Sequence, residues 1–144
     1  NYNPVGSTDS EAAFCLLLQA LRDTFPNANA LMPPAPHEID DALRGIVREI
    51  AAFGVFNFCL SNSTAMWAYC STNLYYIVRE HPFSTAHLLD ADVLIDFTQH
   101  TTIDDRVAVI ATQPLTDNEV WHKMCAGEFI RFKNGRPQAH SILD

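Results

Sequence analysis

Asp9 is the residue whose type and position best suit ligand binding. It lies in Gly6-Ser7-Thr8-Asp9-Ser10-Glu11, where Thr8 and Glu11 have the spacing of a helix capping box. The box predicts that the Thr8 hydroxyl accepts from the Glu11 amide and that the Glu11 carboxylate accepts from the Thr8 amide. Asp9 then falls in the first helical turn, where unpaired amides converge. Its carboxylate there could anchor a ligand ammonium group, or merely complement the helix dipole.

The cysteines, histidines and other aspartates of the chain do not have the spacing that a metal site requires. The cysteines lack the CxxC spacing of a zinc site, and the histidines lack the i, i+4 spacing of a helical metal site. We expect the cysteines to be reduced and buried as small apolar residues, and the histidines to lie in loops or at the surface. Three aspartates lack the glycine and closing glutamate of a calcium-binding loop, which favours a solvated strand edge. The cysteines are Cys15, Cys59, Cys70 and Cys125, and the histidines are His37, His81, His87, His100, His122 and His140. The three aspartates are Asp90, Asp92 and Asp96.

Charge and hydropathy narrow the class of protein. The 144 residues include 9 basic and 17 acidic ones, giving a net charge of −8 that repels phosphate backbones and anionic lipid. No run approaches the roughly 20 apolar residues that span a bilayer, and the first residues do not resemble a signal peptide. We therefore expect a cytoplasmic protein that binds neither nucleic acid nor membrane.

Two amphipathic helices are predicted in the first third of the chain. The first begins at Thr8, ends before Pro26 and is apolar on both sides, so we expect it to be packed on both. A proline-rich loop over residues 27–36 separates it from the second helix, whose apolar stripe runs from Ile39 to Phe53. Asp40 is predicted to face water on the second helix.

After Gly54 the pattern changes to strands. Short polar gaps, Asn62-Ser63-Thr64 and Ser71-Thr72-Asn73, are typical of connections between antiparallel neighbours, and Asn134-Gly135 is typical of a tight turn. The tail from Arg136 to Asp144 is predicted to be frayed. The strands are predicted at Val55 to Ser61, Ala65 to Cys70, Leu74 to Arg79, Val93 to Phe97, Arg106 to Thr112 and Glu128 to Lys133. Helices followed by antiparallel strands predict an α+β fold, with a helical layer on a sheet.

Several blocks in this order resemble the class II glutamine amidotransferases, and in particular their small stand-alone bacterial members. The resemblance runs from Pro4 to about Phe132. Its blocks are Gly6 to Glu11, Gly54 to Asn57, Ala68 to Leu74 and Val109 to Thr116, followed by Asn118, Glu119 and Trp121. It implies an αββα sandwich of the N-terminal-nucleophile hydrolases, of which this chain supplies the helical layer and much of one sheet. It also implies that Asp9, next to Thr8, binds the α-amino group of glutamine in a pocket shaped for an amino acid.

The resemblance also implies parts that this sequence does not contain. The nucleophile of the family is a cysteine at the mature amino terminus, whose own amine is the general base, whereas the first residue here is Asn1. No His-Asn-Gly oxyanion-hole motif precedes Gly6. We therefore expect residues 1–144 to be the C-terminal portion of a single amidotransferase domain whose N-terminal catalytic portion is missing. The chain alone, with no catalytic residue of its own, is predicted to be inactive.

Three functions remain open at this stage. The first is a glutaminase activity in the full-length protein that releases ammonia for a separate acceptor enzyme, through a cysteinyl thioester and without metal or organic cofactor. The second is hydrolysis of another γ-glutamyl amide. The third is a module that only binds a ligand or partner. An upstream sequence beginning Met-Cys would remove the third, and substrate profiling would separate the first two.

Overall fold

The computed structural model describes residues 1–91, 93–98 and 101–143. The chain divides into a helical unit, Asn1–Val55 with the last residues of the chain, and a sheet unit, Phe56–Ile142. Two helices and antiparallel sheets confirm the predicted α+β class. Within the described residues, neither helix is long and apolar enough to cross a bilayer.

The first helix of the helical unit, α1, spans Asp9–Thr24. Thr8 is its N-cap, and the Phe25 amide closes the other end by donating to the Leu21 carbonyl, so both predicted ends are confirmed. The prediction that α1 is packed on both sides is wrong for the described chain. Ala13 and Leu17 are buried, but Phe14 is 48% exposed and Leu16 is 53% exposed.

The second helix, α2, spans Pro36–Ala51. Pro36 is its first residue and not the end of the loop, because a proline has no amide hydrogen to satisfy and its fixed φ suits that position. The expectation that Asp40 faces water is wrong, since Asp40 is only 3% exposed. The reason is periodicity: Asp40 precedes the buried residues Leu43 and Val47 by three and seven positions, which places all three on one helix face.

Within its described residues, the sheet unit contains nine strands in three antiparallel sheets. The strands are β1 Phe58–Ser61, β2 Met66–Cys70, β3 Tyr75–Glu80, β4 Thr85–Leu88, β5 Val93–Asp96, β6 Arg106–Ala111, β7 His122–Lys123, β8 Glu128–Lys133 and β9 Arg136–Ile142. The sheets have the orders β1-β2-β8-β9, β6-β3-β7 and β4-β5. The chain therefore contributes to three sheets, which corrects the expectation that it supplies much of one.

All six predicted strands are present, and the described residues contain three further strands that the sequence did not predict. They are β4, β7 and β9. The tail that we predicted to be frayed is β9, which pairs with β8 through the turn at Asn134 and Gly135, whose φ values are +51° and +70°. The turn was visible in the sequence. The partner strand was not, because Arg136-Pro137-Gln138 lacks alternating apolar residues.

The two short polar gaps behave differently. Asn62-Ser63-Thr64 joins the antiparallel neighbours β1 and β2, as predicted. The gap at Ser71 joins β2 to β3, which lie in different sheets, so that prediction is wrong. Asn57 holds this second gap, because its side-chain oxygen accepts from the amides of Ser71 and Thr72, at 2.9 and 3.2 Å.

The core of the sheet unit includes one of the four cysteines. Cys70 packs with a cluster of buried residues, Ala68, Leu74, Met124, Ile130 and Phe132. Cys59 and Cys125 are exposed and Cys15 is half-buried, so the expectation of four buried cysteines is correct only for Cys70. All four are free thiols.

Candidate functional site

The segment before α1 is held by two side chains of the first helical turn. The Thr8 hydroxyl accepts from the Glu11 amide at 3.3 Å, as the capping box predicts. The predicted return bond from the Thr8 amide to Glu11 is wrong, because the carboxylate reaches further back along the chain. Its Oε1 accepts from the Val5 amide at 2.7 Å and its Oε2 from the Gly6 amide at 2.8 Å. We call this pair of hydrogen bonds the Glu11 clasp.

Gly6 makes room for the Glu11 clasp. A Cβ atom added at Gly6 would lie 2.6 Å from Glu11 Oε2, closer than two such atoms can approach. Glu11 Cδ, the carbon of the same carboxylate, would lie 3.7 Å away. Among the described residues other than the two chain neighbours of Gly6, the Glu11 carboxylate is therefore the group that disfavours a side chain at this position.

Asp9 is exposed, and one of its two carboxylate oxygens is already occupied. Oδ1 accepts from the Ser10 amide at 2.7 Å and lies 3.5 Å from the Ser10 hydroxyl. Oδ2 accepts no hydrogen bond from any residue that the structure describes. The first turn of α1 thus presents a charged acceptor beside the Thr8 hydroxyl, an arrangement suited to an ammonium group or another cationic donor.

A cavity lies elsewhere in the chain. It has a volume of about 260 Å³, and its lining belongs entirely to the sheet unit, with Arg106 and Lys133 as the charged members. Neither Thr8 nor Asp9 lines it. The amino-acid pocket expected around Asp9 is therefore not this cavity, and the assignment of Thr8 and Asp9 to substrate binding stays a prediction.

Residues 116–119 repeat the Thr-Asp-x-Glu pattern of residues 8–11 inside the sheet unit. The Thr116 hydroxyl donates to Glu119 Oε2 at 2.7 Å and accepts from Trp121 Nε1 at 2.9 Å. Arg79 donates to both carboxylate oxygens of Glu119, at 2.8 and 2.5 Å. Because both groups are largely buried, with side chains 15% and 6% exposed, this is a bidentate ion pair shielded from water.

The surroundings of Glu119 favour its charged form. Burial raises the pKa of Glu119, but hydrogen bonds from Arg79 and Thr116, with the positive charge of Arg79, outweigh that effect and hold the pKa below its ordinary value of 4.5. Both oxygens of Glu119 are therefore engaged by other side chains of the fold.

Asp117 and Asn118 tie this second segment to β4. Asn118 accepts from the His87 amide at 2.8 Å and donates to the Thr85 carbonyl at 2.7 Å. Asp117 Oδ1 lies 2.9 Å from His87 Nδ1. The sequence analysis marked Asn118 only as part of a resemblance and did not mark Asp117, and nothing in their spacing indicated that they fasten β4.

Among the described residues, the metal-ligating residue types do not come together. In the parts of the chain that the structure covers, no three of the histidine, cysteine and acidic side chains form a group that could hold a metal ion. Asp92 and His100 lie outside the described residues. Asp96, one of the aspartates considered above, accepts from the Thr98 amide at 2.9 Å and from its hydroxyl at 2.6 Å.

Comparison with known proteins places this geometry in a family. The family profile described as "Glutamine amidotransferases class-II" matches residues 1–143. A "Putative glutamine amidotransferase" of Haemophilus influenzae is 46% identical over 139 residues, which are 96% of this chain and 46% of that protein. A "Putative glutamine amidotransferase YafJ" of Escherichia coli is 47% identical over 132 residues, which are 92% of this chain and 50% of that protein.

A solved structure agrees with the fold. The crystal structure of a predicted glutamine amidotransferase from Pseudomonas aeruginosa PA01 superposes with a TM-score of 0.82 at 44% sequence identity. The match covers 96% of this chain and 53% of that one. The chain thus spans about half the length of these relatives.

Proposed function

The chain belongs to the class II glutamine amidotransferases, and on that premise we propose that the full-length protein hydrolyses the side-chain amide of glutamine and releases ammonia. Residues 1–144 are, in this proposal, the C-terminal portion of one N-terminal-nucleophile hydrolase domain. The nucleophilic cysteine belongs to polypeptide outside this chain. It forms a γ-glutamyl thioester as ammonia leaves, and water then hydrolyses the thioester to glutamate.

The observation that carries the proposal for this chain is the free Oδ2 oxygen of Asp9. One oxygen of the carboxylate is fixed by the Ser10 amide at 2.7 Å, which orients the other. A glutamine ammonium group donating to Oδ2 makes a charge-assisted hydrogen bond, worth about 1.5–3 kcal/mol. Asp9 therefore binds and aligns the substrate and makes no bond to the reacting carbon.

Thr8 lies beside this acceptor and has a supporting role. Its oxygen accepts from the Glu11 amide, which fixes the hydroxyl at the start of α1. We propose that Thr8 lines the substrate site next to Asp9. The chemistry calls for no metal or organic cofactor, and the released ammonia passes to a separate acceptor enzyme. A cytoplasmic location fits this role.

The test is glutamine hydrolysis by the full-length protein and its Asp9→Ala variant. We expect the Michaelis constant for glutamine to rise about 10- to 100-fold, because one charge-assisted hydrogen bond of 1.5–3 kcal/mol is lost. Asp117→Ala is the matched control, since Asp117 has the same position in the second Thr-Asp-x-Glu segment and bonds to His87. Equal Michaelis constants for a folded Asp9→Ala variant and the wild type would contradict the assignment.

Two further measurements define the reaction. The 144-residue chain alone is expected to show no glutaminase activity, and turnover by a clean preparation would contradict the proposed division of the domain.

Profiling the full-length protein with other γ-glutamyl amides tests the substrate. If the protein strongly prefers one of these amides to glutamine, its proposed function becomes hydrolysis of that compound and not the supply of ammonia.

A further inference from the structure

We propose that Glu11 is a positioning residue for the substrate site, acting through the Glu11 clasp on the amides of Val5 and Gly6. The inference rests on the proposed function, because it concerns how Asp9 is presented to glutamine. Glu11 does not touch the substrate in this account. Both of its oxygens are used by the backbone of the segment before α1.

The segment before α1 depends on polar contacts for its position. Residues 1–10 are all exposed, so apolar burial contributes little to holding them. At the far end, the Tyr2 amide donates to Gln19 Oε1 at 3.2 Å and Arg22 lies 5.9 Å from the centre of the Tyr2 ring. Near Asp9, the hydrogen bonds at 2.7 and 2.8 Å to Glu11 are the contacts that fix the chain.

The Glu11 clasp and Asp9 share one helical turn. Asp9 is the first residue of α1, and terminal turns of helices fray most readily. Glu11 fastens this turn to the segment that precedes it, while Thr8 caps the turn itself. Without the Glu11 clasp, the exposed segment is free to move across the Oδ2 oxygen of Asp9, and the approach of the ammonium group is no longer defined.

Gly6 provides a way to open the Glu11 clasp without removing Glu11. Among the described residues outside its chain neighbours, a methyl group at position 6 meets only the Glu11 carboxylate, whose Oε2 would be 2.6 Å away. A flexible side chain can move aside at little cost to the fold, but it then loses its hydrogen bonds to the amides. Gly6→Ala and Glu11→Ala should therefore have the same effect, and Gly6→Ala should have no further effect once Glu11 is alanine.

Glu38 supplies a matched control. It occupies the first turn of α2 and its Oε2 accepts from the Ala35 amide at 2.7 Å, so it makes the same kind of bond to the chain before its helix. No ligand acceptor has been assigned to α2. A change seen with Glu11→Ala and absent from Glu38→Ala is therefore specific to the start of α1 and does not follow from loss of a helix cap in general.

The experiment measures kcat and KM for glutamine in the full-length protein. We expect Glu11→Ala and Gly6→Ala each to raise KM about tenfold with kcat within about twofold, since misalignment weakens binding before chemistry. Glu11→Gln, which keeps one acceptor oxygen, should give an intermediate KM. The double variant should match Glu11→Ala, and Glu38→Ala should match the wild type.

The outcomes separate the two proposals. If Asp9→Ala raises KM but neither Glu11→Ala nor Gly6→Ala does, the positioning role is wrong and the proposed function stands. Multiplying effects in the double variant would also overturn it, because Gly6 would then act independently of Glu11. If the wild type does not hydrolyse glutamine, or Asp9→Ala leaves KM unchanged, the proposed function fails and this inference fails with it.

Discussion

Residues 8–11 and 116–119 share the pattern Thr-Asp-x-Glu, yet their side chains bond to different partners. At the start of α1 the threonine caps a helix, the glutamate holds backbone amides and Asp9 keeps one oxygen unoccupied. In the sheet unit the threonine donates to the glutamate, the glutamate pairs with Arg79, and the aspartate lies against His87. Asp9 in the first segment is exposed and has an oxygen available to a ligand, whereas the side chains of the second segment bond to other residues of the sheet unit. The same four-residue pattern is therefore no guide to function without its surroundings.

The two glutamates should show the largest difference in stability. Glu119→Ala leaves Arg79 buried and unpaired, so we expect the free energy of unfolding of the full-length protein to fall by about 3 kcal/mol. Glu11→Ala removes two hydrogen bonds at the surface and should cost about 1 kcal/mol. Urea unfolding of the two variants measures both. Equal losses would show that the buried ion pair contributes no more than the Glu11 clasp.

The two threonines should also contribute differently to stability, by a smaller amount than the two glutamates. Thr116 is 2% exposed, and Thr116→Val leaves the Trp121 indole N–H without its acceptor and removes one of the two hydrogen bonds to Glu119 Oε2, at a cost of about 2 kcal/mol. Thr8→Val removes one helix cap, at a cost of about 1 kcal/mol. The same unfolding measurement applies. Thr8→Val is the control for the change from hydroxyl to methyl, and a larger loss there than at Thr116 would reverse the ranking.

The pH dependence of stability tests whether Glu119 is charged in the fold. Because the folded pKa of Glu119 is below its ordinary value of 4.5, the charged form stabilises the protein above pH 4.5. That contribution is lost as the pH falls below 4.5 and through the folded pKa. The difference in unfolding free energy between wild type and Glu119→Gln should therefore shrink across that range. A difference that grows on acidification would mean that the folded pKa is raised.

The two aspartates should show the smallest effect on stability. Asp117 and His87 are both partly exposed, so Asp117→Asn should change the free energy of unfolding by less than about 1 kcal/mol. Asp9→Asn should change it by a similarly small amount while weakening glutamine binding. Thermal unfolding of the wild type and Asp117→Asn measures the first effect. A loss above 2 kcal/mol at Asp117 would place that residue among the buried contacts.

Much of the architecture could be read from local sequence. The cap at Thr8, the stop before Pro26 and six strands follow from capping chemistry, proline geometry and alternation of apolar residues, all of which act between near neighbours in the chain. The strands that were missed lack such signals. β9 begins Arg-Pro-Gln and β7 has only two residues, and both exist because a neighbouring strand offers hydrogen-bonding groups.

For the candidate site, the sequence by itself determined the family resemblance and the proposal of Asp9 and Thr8, because both depend on residue types at short spacing. Only the tertiary structure decided that Glu11 bonds to Val5 and Gly6, that Asp40 is buried, and that Glu119 is paired with Arg79, forty residues away in the chain. Partners at such separations are selected by how strands and helices pack. Two carboxylates with the same flanking sequence can therefore differ in whether other groups of the fold already bond to them.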